Sequence, residues 1–231
     1  MGKRQKYKNW TIEDLYKVYY GPDLDGKNVS KNEIEQYEVD LRALVTKWRE
    51  EEVKQIFSYL GKVERVPRSN RKKTSDFKIE DEKLIIEITS INTAPVGEQD
   101  EDGCIPLNLP HNEDAFIEKI NRGIEHAEEK EDTRGYSKIA VIHNDPAMFG
   151  LKPDFMEKLF DPDFIKKTGF LSSSLDGLMF LPPKLAILGD DSDIKIPGSV
   201  CYVKEQKMVD LLSRISGLEV KLLGDEDGAR R

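Results

Sequence analysis

Asp76 and Glu87 are the two side chains whose types and spacing most invite chemistry. They stand in the stretch TSDFKIEDEKLIIEITSIN, Thr74 to Asn92, where two runs that favour strand, Ser75 to Glu80 and Lys83 to Ile91, flank a polar Asp81-Glu82 pair. Both runs alternate with period two, which predicts a β-hairpin. Phe77, Ile79, Leu84, Ile86 and Ile88 fall on one face, and Asp76, Lys78, Glu80, Lys83, Ile85, Glu87 and Thr89 on the other. A slip of one residue would carry the apolar set into water, so burial fixes the parity of pairing. A two-residue loop then sets Asp76 opposite Glu87. Carboxylates so placed have Cβ atoms about 4.5–5.5 Å apart and repel. Two compensations are open. A shared divalent cation suits them, because Mg²⁺ takes one or two carboxylates and keeps its waters. Equally, Lys78 and Lys83 lie on the same face, and a solvated face of alternating sign needs no metal.

The element before the hairpin is a long helix. Ser30-Lys-Asn-Glu33 reads as a capping box, and a helical pattern runs from it to about Leu60. Ile34, Tyr37, Leu41, Leu44, Val45 and Trp48 form one stripe; Val53, Ile56, Phe57 and Leu60 continue it, rotated around the axis. The rotation predicts a bend near 49–52, where Glu50, Glu51 and Glu52 stand together. Glu50 lies beside Val53 and Phe57, so an inward carboxylate and a solvated one are both open. Gly61 closes the helix. A short strand, Lys62 to Pro67, leads into Arg68-Ser-Asn-Arg-Lys-Lys73. Six cations, Lys62, Arg65, Arg68, Arg71, Lys72 and Lys73, stand here against Glu64 alone. Such a run can neutralise phosphates, or it is a solvated loop. Its place next to the carboxylate hairpin is where a polyanion would enter.

Beyond the hairpin, the acidic stretch Thr93 to Leu109 reads as a loop, a lid or simply solvated. Asn112 is placed to cap a helix whose apolar stripe is Phe116, Ile117, Ile120, Ile124 and Ala127, with His126 off that stripe and exposed. Tyr136 to His143 is a buried strand, and His143 at its end suits either catalysis or a turn hydrogen bond. Met148 to Thr168 predicts a surface helix pair broken at Asp161-Pro162. Leu175 to Leu181, Val200 to Val203 and Leu218 to Leu223 predict strands, and Glu205 to Ile215 a helix.

The chain therefore divides into an N-terminal helical appendage (1–29), an α/β domain (30–223) and a flexible tail (224–231). Within the appendage, Thr11-Ile-Glu-Asp14 resembles a helix start, and the DxDG of the following loop lacks the bidentate Glu of a calcium loop. At 231 residues the chain can bury a sizeable core, and 38% hydrophobic with 35% charged residues describes a soluble protein. No apolar run is long enough to cross a bilayer, and the basic MGKRQKYKNW leads to no apolar segment, so a cytoplasmic protein without a membrane partner is expected. Cys104 and Cys201 have no metal-ligand spacing. A net charge of −8 argues against general adhesion to nucleic acid but leaves room for a local basic patch.

The helix end Glu-x-x-Val-x-x-Ile-Phe-x-x-Leu-Gly (Glu50 to Gly61), the strand after it, Ser75-Asp76 opening the next, and Glu87-Ile-Thr89 in an apolar strand together resemble the PD-(D/E)xK nuclease superfamily, which includes archaeal Holliday-junction resolvases and type II restriction enzymes. The likeness covers roughly 45–145 in layout. It implies a restriction-endonuclease-like fold, a mixed β-sheet with helices on both sides. It also implies a metal-dependent endonuclease acting on nucleic acid, DNA favoured, with Mg²⁺ or Mn²⁺ as cofactor and a homodimer left open. Residue by residue, Glu50 corresponds to the helix carboxylate, Asp76 to the metal-bridging aspartate, Glu87 to the second acid and Ile88 to the residue whose backbone carbonyl completes the metal shell. The family's lysine position holds Thr89, which has a hydroxyl but no cation. Lys78, on the carboxylate face, is the candidate substitute, and Lys119 on the following helix a weaker one. Arg65, Arg68, Arg71, Lys72 and Lys73 would steer the phosphate backbone. Thr89 equally suits a degenerate member of the fold that binds nucleic acid or a protein.

Overall fold

The structure, a computed structural model, describes residues 46–47, 49–67, 74–91, 112–130, 135–144, 157–181 and 198–223. The expected appendage, the Ser30 capping box, the basic residues Arg68, Arg71, Lys72 and Lys73, the acidic stretch 93–109 and the tail 224–231 lie outside these residues. The chain divides into two compact units, Met1–Val53 and Lys54–Arg231. Helix α1 (49–57) runs across that division. In the first unit, Arg49 and Glu52 form an ion pair at 2.8 Å, three residues apart and thus neighbours on the helix surface.

The second unit is α/β, built on a seven-stranded mixed sheet in the order β1-β2-β3-β4-β5-β6-β7. The strands are β1 (Val63–Arg65), β2 (Phe77–Ile79), β3 (Leu84–Ile91), β4 (Ser137–Asn144), β5 (Gly177–Leu181), β6 (Ser199–Val203) and β7 (Leu218–Leu222). The first three are antiparallel neighbours, β3 to β5 run parallel, β6 reverses, and β7 is parallel to β6. Parallel neighbours need a crossover, and helix α2 (Glu113–Glu128) supplies the one from β3 to β4. Helix α3 (Pro162–Lys166) lies between β4 and β5, and helix α4 (Gln206–Leu212) between β6 and β7.

The hairpin forms in the expected register, with Phe77 opposite Ile86, Lys78 opposite Ile85 and Ile79 opposite Leu84. Its turn closes where the Lys83 N–H donates to the Glu80 carbonyl at 3.2 Å, with Lys83 at φ 49. Toward the turn that face has the expected alternating charges, with Lys78 and Lys83 part-exposed and paired with Glu80, but on β3 it is not solvated: Ile85 and Glu87 are as buried as Leu84 and Ile86. The reason is topological. β3 is an interior strand with a parallel neighbour, and parallel strands are covered on both faces.

Helix α2 covers that face. Asn112 caps it, its Oδ1 accepting from the Ala115 N–H at 2.9 Å, with Glu113 and Asp114 in the first turn. Phe116, Ile120, Ile124 and Ala127 pack with Ala140, Ile142, Leu178, Phe180 and Tyr202 into one core. Gly123 allows close approach to the sheet, since a Cβ there would meet Ile142 Cδ1 at 3.2 Å and Thr89 Cγ2 at 3.4 Å. The opposite face carries Phe77, Ile79 and Ile86; Lys54 sits over the Phe77 ring at 5.4 Å, and a Cβ on Gly61 would meet Ile79 Cγ2. Of the surface helix pair expected at 148–168, residues 148–156 lie outside the described residues, and the helix that follows the break at Asp161-Pro162 is not a surface element. Asp161 caps α3, but Phe164 and Ile165 are buried and Phe164 stacks on Phe116 at 5.7 Å, so this segment closes the core over α2.

Candidate active site

The Ile88 N–H donates to Asp76 Oδ2 at 3.0 Å, and the Lys83 carbonyl accepts from the Ser137 N–H at 2.8 Å. Along a strand, successive residues turn their backbone groups to opposite edges. Even-numbered residues of β3 therefore face β2 and odd-numbered ones face β4. Continuing the register by one step sets Asp76 against Glu87 at a position without mutual backbone bonds, the kind where opposite side chains stand closest. The same alternation turns the Ile88 carbonyl to the edge its N–H uses, toward Asp76.

Glu87 is 1% exposed. Its Oε1 lies 3.2 Å from Lys130 Nζ and 3.7 Å from His126 Nε2; its buried Oε2 has no hydrogen-bond partner among the described residues. Burial, and after it the charge of Asp76, push the Glu87 carboxyl up to about 7, against the opposing pull of Lys130 and Lys138. Crowded by another acid and removed from water, the Glu87 carboxyl holds its proton up to about neutral pH even with the Lys130 ammonium beside it.

Two cations come from elements that follow the hairpin. Lys130 stands just past the end of α2. Lys138, opposite Ile85 on β4, is itself buried, and its Nζ donates to the Lys130 carbonyl at 3.0 Å. Thr89 lies against α2 at Gly123. Lys119 lies on α2 seven residues before His126, about 10 Å along the helix axis at 1.5 Å per residue. Burial, then the charge of Arg122, lower its pKa. Lys130 and His126 are spaced four apart, which on a helix puts them on one side; that spacing, at a helix end following an acidic strand, was the available sequence signal.

The other predicted residues are placed as follows. Lys78 shares the face of Asp76, but its ammonium is held by Glu80 Oε2 at 2.8 Å. Glu80 also takes Lys83 at 2.8 Å, and these contacts hold its carboxyl down at about 2, with Lys78 the largest cause. Glu50 is buried and belongs to the first unit, whereas Asp76 and Glu87 belong to the second. Arg65 pairs with Phe77 and stands over its ring at 5.2 Å, on the face opposite the carboxylates. His143 is buried on β4, on the face opposite Glu87.

The donor chemistry fits a hard divalent cation. Two carboxylates, one with a buried oxygen lacking a hydrogen-bond partner among the described residues, and a backbone carbonyl on the same edge would all offer oxygen to such an ion. Among the described residues, no three His, Cys, Asp or Glu side chains gather as a ligand group, so the remaining positions of such an ion would fall to water. No family model matches the chain, and neither a curated protein nor a solved structure does.

Proposed function

We propose that this protein is a metal-dependent phosphodiesterase of nucleic acid, an endonuclease on a restriction-endonuclease-like sheet. The observation that carries the reading is the acid pair: Asp76 tied to the Ile88 N–H, and Glu87 buried opposite it with a raised pKa and an oxygen lacking a hydrogen-bond partner among the described residues. The order of helix, strand, hairpin, helix and strand, from α1 to β4, agrees with the nuclease resemblance.

Asp76, Glu87 and the carbonyl of Ile88 would hold Mg²⁺ or Mn²⁺. When bound, the ion supplies Lewis-acid polarisation of a phosphate oxygen and acidifies a water. The chain's own residues do the rest. The Ile88 N–H fixes the rotamer of Asp76 by a charge-assisted bond. The wall formed by α2 keeps bulk water from Glu87, which strengthens every charge interaction there. Arg68, Arg71, Lys72 and Lys73 would meet the phosphate backbone, giving binding that weakens steeply with salt.

Thr89 favours a second reading, in which the fold binds nucleic acid or a protein without cleaving. Incubating the protein with plasmid DNA, branched DNA and RNA, with and without Mn²⁺, tests the two. Metal-dependent cleavage lost in Glu87→Ala supports the hydrolase. Binding with no cleavage of any of the three sinks it and leaves the binding module.

A further inference from the structure

Resting on the hydrolase reading, we propose that Lys130 is the cationic residue of the reaction, taking the place Thr89 cannot fill, and that Lys138 is the residue that positions it. The position two residues beyond Glu87 is unsuited to a long cation in this chain, because Thr89 lies under α2 where Gly123 permits only close, small contacts. The ammonium at the carboxylate pair instead arrives from the end of α2. Lys130 Nζ is 3.2 Å from Glu87 Oε1, and its side chain is 17% exposed while that of Glu87 is 1% exposed. The lysine is thus the member of the pair that reaches solvent. An ammonium has three donors; one directed at Glu87 leaves others for a phosphate oxygen drawn to the acid pair.

A lysine beyond a helix end would ordinarily sample many rotamers and a fraying backbone. Here the backbone is clamped. The Lys130 N–H donates to the Ala127 carbonyl at 3.3 Å, and its own carbonyl accepts from Lys138 Nζ at 3.0 Å. Lys138 is buried on β4, opposite the Ile85 that stands two residues before Glu87. The same parallel register therefore carries both the acid and the anchor of its cation. A buried ammonium on a carbonyl at a helix C-terminus is favourably placed against the helix dipole.

The test pairs two measurements on the full chain: steady-state cleavage of plasmid DNA with Mn²⁺, and calorimetric titration with Mn²⁺ alone. In Lys130→Met the turnover falls about a hundredfold, the loss typical of one transition-state donor, with KM changed little. Extrapolated to ionised Glu87 from titrations across pH, Mn²⁺ binds about tenfold tighter, because a competing cation next to Glu87 is gone, while the proton that the same lysine opposed is held more firmly. Lys138→Met moves both quantities in the same directions by less, and Lys130→Arg restores part of the turnover. Opposite signs for turnover and metal affinity are the signature, since simple collapse of the site lowers both. Lys130→Met cleaving at the wild-type rate, or losing Mn²⁺ affinity along with turnover, overturns the proposal while a dead Glu87→Ala leaves the hydrolase standing. A wild-type chain that cleaves nothing overturns both.

Discussion

Glu87 and Lys130 meet at 3.2 Å, with the carboxylate buried and the lysine at the margin of solvent. The pair joins an interior strand to the end of the helix that crosses over it. One cation at that distance does not neutralise the acid, for Asp76 stands on its other side and burial dominates. The site carries an unrelieved proton affinity.

Glu87→Gln separates buried charge from packing. The folded carboxyl is raised to about 7 from a usual 4.5, so its stabilising contribution is complete below pH 4.5 and is lost as pH rises through 7. Glutamine keeps the shape and has no such dependence. Denaturation at pH 4.5 and at pH 8 should show the variant gaining on wild type by about 3 kcal/mol, from 2.5 units at about 1.36 kcal/mol each. Parallel stability curves for the two proteins would contradict the buried, crowded carboxylate.

Asp76→Asn tests the second cause. Asparagine retains an oxygen for the Ile88 N–H but no charge. The Glu87 titration, followed by carbon-detected NMR of the carboxyl, should move down from about 7 yet stay above 4.5, because burial is the larger cause. On the proposed metal reading, added Mg²⁺ at pH 8 should raise the Tm of wild type and raise that of the variant by less. An unmoved Glu87 titration would mean that the two acids do not feel each other.

These residues also mark where the sequence could be read and where it could not. Period-two alternation, which burial restricts to one parity, together with a two-residue loop was enough to give the register Phe77 opposite Ile86 that brings Asp76 to Glu87. It could not tell that the Glu87 face would be covered, since Ile85 among charged residues reads as half-solvated until α2 and β4 are known. For Lys130 the four-residue spacing from His126 was the one local signal, and its partner was hidden for a different reason: 43 positions separate it from Glu87 in sequence, and the crossover from β3 to β4 closes that gap. The same applies to Phe164, whose apolar neighbours gave no sign that they would pack on Phe116. The N-cap of α2, by contrast, is a local motif and was visible at once.

Asn112→Ala tests that local motif. Its Oδ1 accepts the Ala115 N–H at 2.9 Å and answers one of the four open donors at the start of α2. Removal should cost about 1 kcal/mol in denaturant unfolding. Aspartate at 112 should restore it, with the added benefit of charge at the helix N-terminus. Because Glu87 is met from the far end of α2, the Glu87 titration should not change. A shift there would show that the whole helix moves when its cap is lost.

Gly123→Leu tests the close approach that brings α2 down on β3. A Cβ alone would meet Ile142 Cδ1 at 3.2 Å and Thr89 Cγ2 at 3.4 Å, so the branched side chain has no room without lifting the helix. Overpacking of this kind costs about 1–3 kcal/mol, set against less than about 1 kcal/mol of gain from replacing a mid-helix glycine. The net should be destabilising. The informative readout is at the site: lifting α2 admits water to Glu87 and carries Lys130 away from it, so the Glu87 carboxyl should titrate closer to its ordinary 4.5. Gly123→Ala, which needs only a few tenths of an ångström, mainly from the end of the Ile142 side chain, should leave that titration near its wild-type value. Equal behaviour of the two variants at Glu87 would break the link between helix seating and the chemistry of the acid pair.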